Sequence, residues 1–370
     1  MSDPFQVDGL EELASPALLA WPERVEANIA HMVAMCGDPD RLRPHVKTHK
    51  MDAVVRLQLA AGIGKFKAAT IAEVEMCVGA GAADVLLAYP LVGPNQERLV
   101  RLARRYPEAR FSFLAESAEA LESQGRMSRE AGVELGVFVD FDCGMARTGT
   151  CCREGAVGLA GAITSMGGLR FEGVHAYDGH LRARDPGERR EDWAGAMGLV
   201  EELLGALEEA GNPAPAVVGG GSPTFGLHAG ERGWQCSPGT TLFWDGGYAE
   251  SFPDLPFEHA AAVFTRVVSK PGSNRLCLDL GHKAIASEGP LETRVHLPGL
   301  GNARAVSHSE EHLVVEVEEA AGHLVGEPFI GIPRHICPTV ALYQEAALVR
   351  SGALTGERWA VTARNRRLTV

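Results

Sequence analysis

The chain has 370 residues, of which 45% are hydrophobic and 22% charged, and its formal net charge is −13 at pH 7. This length predicts two domains, and the composition is that of an ordinary globular protein. The negative charge argues against nucleic acid or anionic membranes as main partners. Because no run of about 18 apolar residues and no export signal occur, we expect a cytoplasmic protein without a membrane partner.

The eight cysteines are expected to be reduced thiols, because the chain is long and lacks an export signal. Adjacent Cys151 and Cys152 are too close together for an ordinary disulfide, and no Cys-x-x-Cys pair occurs. Zinc-finger chemistry is therefore not predicted.

Residues 14–247 alternate short apolar stretches with amphipathic helical ones, which predicts an α/β fold. About eight such units indicate a parallel (β/α)8 TIM-like barrel, with active-site residues at the carboxyl ends of its strands. The expected strands are 17–20, 43–47, 66–70, 84–88, 111–115, 135–140, 173–175, 216–219 and 241–245. The expected helices include 24–35, 72–79, 96–105 and 197–210.

Residues 248–370 have a different texture and predict a second, mostly β domain. Strand-like runs are separated by glycine and proline turns, and few helical stretches occur. These runs are 261–269, 275–279, 313–318, 329–333 and 359–363. Residues 1–13 precede the barrel pattern, and we expect them to join this domain.

The stretch Arg-Pro-His-Val-Lys-Thr-His-Lys, residues 43–50, places a lysine among cations. Pro44 favours extended backbone, so Lys47 is expected on a short strand with Arg43, His45 and His49 on the same face. A lysine crowded by positive charge loses its proton more easily, and a neutral amine can form a Schiff base. The alternative is a basic strand at the edge of a sheet.

Two polar turns follow later barrel strands. Residues 140–149 carry acid, glycine and arginine in one turn, which alternatively is a surface turn with a local salt bridge. Residues 174–180 place His175, Tyr177 and His180 at a strand end, where a structural histidine is the alternative.

The run Gly219-Gly220-Gly221-Ser222, followed by Thr224, is a candidate anion site. Glycines let successive backbone amides approach an anion, and the hydroxyls add donors. Loops after the last strands of a barrel commonly hold a phosphate. The run matches neither a Walker loop nor Gly-x-Gly-x-x-Gly, and the alternative is a flexible turn.

The predicted β domain contains His335-Ile336-Cys337. On a strand, alternation would put both side chains on one face, and imidazole with thiolate suits a borderline-soft divalent ion such as zinc. A buried histidine beside a buried cysteine is the alternative.

Together these motifs resemble the fold-type III pyridoxal-phosphate enzymes, specifically the D-threonine aldolase and D-serine dehydratase-like group. The resemblance covers nearly the whole chain and implies an alanine-racemase-type barrel. It implies that Lys47 forms the Schiff base with pyridoxal 5'-phosphate. Further cofactor contacts are implied for His45, Arg147, Tyr177, Gly220, Gly221, Ser222, Thr224 and Asp245.

The resemblance also implies a divalent metal, Zn, Mn or Mg, held by His335 and Cys337, and a D-configured β-hydroxy amino acid as substrate. Two reactions occur in the family, namely retro-aldol cleavage to glycine and an aldehyde, and dehydration to a keto acid and ammonia. At the metal pair, aldolases of this family typically carry the pattern His-x-Asp. This chain has Cys337 at the second position, as the dehydratases do.

Aldolases also tend to carry a histidine where this chain has Ala183, so we assign His180 as the candidate acid–base residue. The sequence as a whole resembles the bacterial aldolases more closely, so we place the aldolase reaction ahead of dehydration. Racemization and non-catalytic cofactor binding are the remaining alternatives. The resemblance further implies a homodimer.

Overall fold

The computed structural model describes residues 5–370, which form two compact units. The first unit comprises residues 5–31, Thr48–Ala53 and Thr240–Arg364. The second comprises Met32–Lys47, Val54–Gly239 and Asn365–Val370. Within the described range, no helix is both long and apolar enough to cross a membrane.

The second unit is built around a curled sheet whose seven parallel strands neighbour one another in chain order. The strand β1 (Ala17–Ala20) belongs to the first unit. The seven strands of the second unit are β2 (Lys65–Ala68), β3 (Asp84–Pro90), β4 (Arg110–Ala115), β5 (Leu135–Asp140), β6 (Leu169–His175), β7 (Ala216–Gly219) and β8 (Gln235–Cys236). Several of them are buried on both faces, as expected for parallel strands covered by helices.

Residues 42–46 close this sheet into a ring. Leu42 forms a parallel bridge to Cys236 of β8, and His45 forms one to Lys67 of β2. The amide of Val46 donates to the carbonyl of Lys67 at 2.9 Å. The closing segment thus takes the eighth strand position, and the predicted parallel barrel is confirmed.

Helices follow most of these strands, as the barrel pattern predicts. They are α1 (Pro22–Cys36), α2 (Asp52–Ala60), α3 (Ile71–Gly79), α4 (Asn95–Arg105), α5 (Ala118–Glu130), α6 (Arg153–Ser165), α7 (Pro186–Glu209), α8 (Phe225–Glu231) and α9 (Gly246–Ser251). The helix predicted at 197–210 begins earlier than expected. Asp185 caps it by accepting from the amides of Gly187 and Glu188, and Pro186 occupies its first position.

The first unit contains the mostly β domain. Its remaining strands are β9 (Ala261–Gly272), β10 (Arg275–Leu278), β11 (Val295–His296), β12 (Arg304–His308), β13 (Leu313–Glu316), β14 (Pro328–Pro333), β15 (Glu345–Arg350) and β16 (Ala353–Ala360), with a short helix, α10 (Ile336–Val340). The strands run in the order β12-β13-β10-β9-β1-β15-β16, and β14 also pairs with β9. Leu19, Trp21, Phe264 and Val349 are among its buried core residues.

Residues near the N-terminus pack on this core. Phe5 and Val7 contact it, and Asp8 forms a bridge to Ala353. The first four residues of the predicted 1–13 segment lie outside the described residues.

Two strands predicted for the barrel were placed wrongly. Residues 17–20 form β1, but this strand pairs with β9 and β15 in the first unit. Residues 241–245 form no strand, because Thr240–Leu242 is a 3-10 helix in which local hydrogen bonds replace a ladder. Apolar runs predict burial, but they do not tell which sheet or local turn provides it.

Arg43 joins the closing segment to two barrel strands from a buried position. Its guanidinium donates to both carboxylate oxygens of Asp84, at 2.6 and 3.0 Å, and to Gln235 at 2.8 Å. The Arg43 side chain is 3% exposed and that of Asp84 is 18% exposed. A bidentate pair in this position is costly to break, because one partner stays buried alone.

We expect Arg43→Met to lower the free energy of unfolding by about 3 kcal/mol, because it leaves Asp84 unpaired. Arg101→Ala is the control, since Arg101 and Glu97 form an exposed pair, and it should cost less than about 0.5 kcal/mol. Urea denaturation followed by circular dichroism measures both. Equal effects would contradict the role given to Arg43.

Candidate functional site

The closing segment ends at the candidate lysine. Lys47 lies in a turn after His45 rather than on the predicted strand, because the bridges to the neighbouring strands stop at residues 45 and 46. Its backbone amide donates to Nδ1 of the buried His45 at 3.3 Å. Lys47 therefore lies directly after the carboxyl end of the closing segment, where the chain leaves the barrel sheet.

Three cationic side chains of the second unit surround the half-buried ring of Tyr177. The Nζ atoms of Lys47 and Lys67 lie 5.6 and 5.5 Å from the ring centroid, and Cζ of Arg147 lies 5.0 Å from it. The structure thus brings together the predicted residues Lys47, Arg147 and Tyr177. It adds Lys67, which the sequence interpretation did not assign.

Lys67 belongs to a buried polar chain at the strand ends. Asp140 and His175 are register partners of β5 and β6, and Asp140 Oδ1 lies 2.7 Å from His175 Nδ1. The Nζ of Lys67 lies 3.2 Å from His175 Nε2 and donates to Ser237 Oγ at 2.6 Å. A lysine inside a buried barrel strand, beside Phe66 and Ala68, is the sequence signal for this group.

Asp178 organises the glycine loop. Its carboxylate accepts from the amide of Gly221 at 2.9 Å, from the hydroxyl of Thr224, and lies 2.9 Å from His228 Nε2. Burial alone would raise the pKa of Asp178, but these bonds outweigh it and lower the pKa to about 2. The loop is therefore held by a carboxylate that is charged at neutral pH.

The predicted anion-binding residues lie around this loop. Gly220 has a φ of +70°, and a Cβ there would fall 2.8 Å from the Cα of Phe225, so only glycine fits. Ser222 is buried and accepts from the amide of Gly239 at 3.2 Å, which ties the two small-residue turns together. The hydroxyl of Thr224 is engaged by Asp178.

His180 packs against the loop that follows β5. A Cβ at Gly144, where φ is +124°, would fall 2.8 Å from His180 Nε2. Its Nδ1 is buried and has no hydrogen-bond partner among the described residues. An unsatisfied nitrogen suits a group that meets a ligand, so the acid–base role of His180 stays a prediction.

In the first unit, Asp245 holds the start of two helices. Its carboxylate accepts from the amide of Tyr248 at 2.9 Å and from that of Ile336 at 3.0 Å. Burial raises the pKa of Asp245 to about 6. Its cofactor role stays a prediction.

The candidate metal pair lies at the beginning of α10. His335 precedes this helix and Cys337 lies within it, so the predicted strand alternation is wrong for these residues. His335 Nδ1 lies 2.5 Å from Glu288 Oε2, and Cys337 Sγ lies 3.2 Å from Thr48 Oγ1. Burial alone would lower the pKa of His335. Hydrogen bonds to Cys337 and Glu288 outweigh burial and raise the pKa to about 9.

The residues of the second unit fit an anionic aldehyde cofactor. Lys47 supplies an amine, Arg147 a fixed positive charge, and the ring of Tyr177 a flat face. The loop at Gly220 has a left-handed backbone at a buried position where any Cβ would clash. This set matches the needs of pyridoxal phosphate.

The donor set at His335 and Cys337 suits a borderline-soft divalent ion. Across residues 5–370, no three His, Cys, Asp or Glu side chains are grouped as a ready-made metal site. Two protein donors leave the other coordination positions to water or substrate oxygen.

Two family models match this chain. Residues 22–245 match the alanine racemase N-terminal domain, and residues 260–349 match a putative serine dehydratase domain. The two matches follow each other along the chain, in the same order as the barrel strands and most strands of the β domain.

Individual relatives agree with the family models. A D-threonine aldolase from Arthrobacter sp. is 30% identical over 366 residues, covering 96% of this chain and 94% of the relative. A D-threo-3-hydroxyaspartate dehydratase from Delftia sp. is 31% identical over 224 residues, covering 59% and 57%. The crystal structure of D-threonine aldolase from Filomicrobium marinum superimposes with a TM-score of 0.89 at 29% identity, covering 97% of this chain and 98% of that one.

We expect Asp178→Asn to destabilise the protein in a pH-dependent way. Because the pKa of Asp178 is lowered in the folded state, its stabilisation is present above pH 4 and is lost as pH falls toward 2. The stability difference between wild type and variant should therefore shrink by about 2 kcal/mol on acidification. Urea denaturation at pH 7, 4 and 2.5 measures it, and a difference independent of pH would contradict the role of the charge.

Proposed function

The chain belongs to the D-threonine aldolase and D-serine dehydratase-like branch of the fold-type III pyridoxal-phosphate enzymes, and on this basis we propose that it is a lyase of D-configured β-hydroxy-α-amino acids. The observation that carries the proposal is the convergence of Lys47, Lys67 and Arg147 on the ring of Tyr177. A merely structural turn would not gather three cations around one half-buried aromatic ring.

The residues that would hold the cofactor each have a defined part in the proposal. Lys47 binds the cofactor aldehyde through its amine, and Tyr177 orients the ring. Arg147 balances the negative charge of the ligand. The loop around Gly220, Gly221 and Ser222, held by Asp178 and the amide of Gly239, receives the phosphate. When bound, pyridoxal phosphate supplies an electron sink for negative charge at the amino-acid α-carbon.

We propose that His335 and Cys337 hold a divalent ion, of which Zn, Mn and Mg are the candidates. When bound, such an ion supplies a Lewis acid for the substrate hydroxyl. Asp245 supports this pair, since its carboxylate fixes the amide of Ile336 between the two donors. Within the first unit, the hydroxyl of Thr48 also contacts Cys337.

Retro-aldol cleavage to glycine and an aldehyde is the principal proposal. It is supported by the similarity to the Arthrobacter aldolase along 96% of this chain. Dehydration to a keto acid and ammonia is the second candidate. It is favoured by one residue, Cys337, because aldolases of this family typically have an aspartate at the matching position.

Racemization is not proposed. It would need a second acid–base residue from the β domain, and the half-buried Tyr343 donates its hydroxyl to the carbonyl of Ala284 at 2.7 Å. Cofactor storage alone would not need the His335 and Cys337 pair. The homodimer implied by the family resemblance stays a prediction that light scattering would test.

Incubation of the purified protein with pyridoxal phosphate, Mn²⁺ or Zn²⁺ and D-threonine tests the reaction. We expect glycine and acetaldehyde, identified by chromatography and by an aldehyde dehydrogenase assay. The appearance of 2-oxobutanoate and ammonia instead would replace the aldolase proposal by the dehydratase one. L-threonine is the matched substrate control, and its equal turnover would contradict the D-configuration.

Lys47→Ala should abolish both turnover and the visible absorbance of the bound cofactor, because the amine that binds the aldehyde is removed. Lys50→Ala is the neighbouring control and should keep both. Survival of the absorbance in Lys47→Ala would contradict the assignment of Lys47.

Cys337→Ser should lower metal affinity and D-threonine turnover at least about tenfold, because a hard hydroxyl replaces a soft donor. Competition with a chromogenic chelator measures the affinity. Cys152→Ser, which changes an exposed cysteine, should leave both unchanged. Full activity of Cys337→Ser, or of chelator-treated enzyme, would contradict the metal proposal.

A further inference from the structure

The amine of Lys67 is buried and held by two hydrogen-bond partners. Lys67 is 2% exposed, and its Nζ lies 2.6 Å from Ser237 Oγ and 3.2 Å from His175 Nε2. Burying a charged lysine in the barrel is costly unless its amine is neutral or paired with a charge of opposite sign. The proposed reaction assigns no role to it.

The hydrogen-bond directions around Lys67 follow from the neighbours. Burial disfavours an ionised Asp140, but the bonds to His175 outweigh it and lower the pKa of that carboxyl, so Asp140 accepts from His175 Nδ1–H. Burial, then Lys67, lowers the pKa of His175, which keeps the ring neutral and leaves Nε2 as an acceptor.

Ser237 is an acceptor for Lys67 as well, because its own hydroxyl donates to the carbonyl of Gly219 at 3.2 Å. Lys67 therefore donates two N–H groups, one to His175 and one to Ser237. The third position on nitrogen carries a lone pair in the neutral amine and an N–H in the ammonium. Lys67 can gain or lose one proton without breaking either bond.

Charges of both signs face this amine. Lys47 and Arg147 disfavour its protonated form, and Asp178 and Asp140 favour it. The rings of His175 and Tyr177 lie beside it. Burial is the largest effect and, with Lys47, lowers the pKa of Lys67 to about 7. Both protonation states are thus populated near neutral pH.

We propose that Lys67 is a second acid–base group of this site, exchanging the proton at its third position with a heteroatom of the ligand that lies against Tyr177. In the donating direction an N–H bond of the ammonium breaks and an N–H or O–H bond forms on the ligand, and no other reactant is needed. Asp140 and His175 are positioning residues, because they fix the direction in which Lys67 donates. This inference rests on the proposed function.

The pH titration of the absorbance of the bound cofactor tests the proposal. Wild type should show a spectral transition near neutral pH, and Lys67→Met should lack it while kcat/KM falls about 100-fold or more. Lys67→Arg should keep a positive charge but also lack the transition, because an arginine does not titrate in this range. Lys65→Met is the matched control, since Lys65 lies on the same strand and bonds the carbonyl of Asp40 at the surface.

A second measurement needs neither activity nor cofactor. In the cofactor-free protein labelled with ¹⁵N at lysine Nζ, the resonance that is absent from Lys67→Arg belongs to Lys67. It should titrate near neutral pH, and Asp140→Asn should move the midpoint downward, because a carboxylate that favours the ammonium is removed.

A midpoint close to the ordinary lysine value of about 10.4, or an unchanged spectral transition in Lys67→Met, would overturn the proposal. Wild type that takes up no cofactor at all would contradict the proposed function instead. If Lys67→Met fails to fold, the titration midpoint of the Lys67 ¹⁵Nζ resonance in wild type still tests the proposal.

Discussion

The backbone hydrogen bonds that insert residues 42–46 between β8 and β2 are the constraint on which the site depends. The amide of His45 donates to the carbonyl of Pro238. The amide of Val46 donates to the carbonyl of Lys67, and the amide of Lys67 donates to the carbonyl of Pro44. These bonds close the barrel and, in the same step, set the two lysines on neighbouring backbone segments beside one aromatic ring. Arg43 secures the segment from below by its bidentate pair with Asp84. Stability and chemistry therefore share one short stretch of chain.

Charge around this stretch is arranged in two layers. Lys47, Lys67 and Arg147 surround Tyr177 and make a positive environment for an anionic ligand. Behind them, Asp140 and Asp178 are buried carboxylates, each with a lowered pKa because histidine and other donors satisfy it. The Asp140 carboxylate orients His175, and the Asp178 carboxylate orients the amide of Gly221. Burial is the largest of the effects that lower the pKa of Lys67 to about 7.

Much of this arrangement is predictable from local sequence, and the failures have a common physical cause. The alternation of strands and helices predicts the barrel, and residues at strand ends, such as Arg147 and Tyr177, follow from it. The role of Lys67 was missed because its significance comes from His175 and Ser237, which are distant in the sequence. Likewise Ala17–Ala20 is apolar enough for either sheet, and only its pairing with β9 and β15 decides. The residues after His335 form a short helix rather than the predicted strand, and Asp245 accepts from the amide of Ile336 at its start, again a non-local contact.

The central claim is that two neighbouring lysines divide the work, with Lys47 binding the cofactor covalently and Lys67 exchanging a proton. Borohydride reduction of the protein with bound pyridoxal phosphate, followed by peptide mapping, tests this division most directly. We expect the pyridoxyl group on Lys47, with Lys67 unmodified. A pyridoxyl group on Lys67, or on neither lysine, would contradict it.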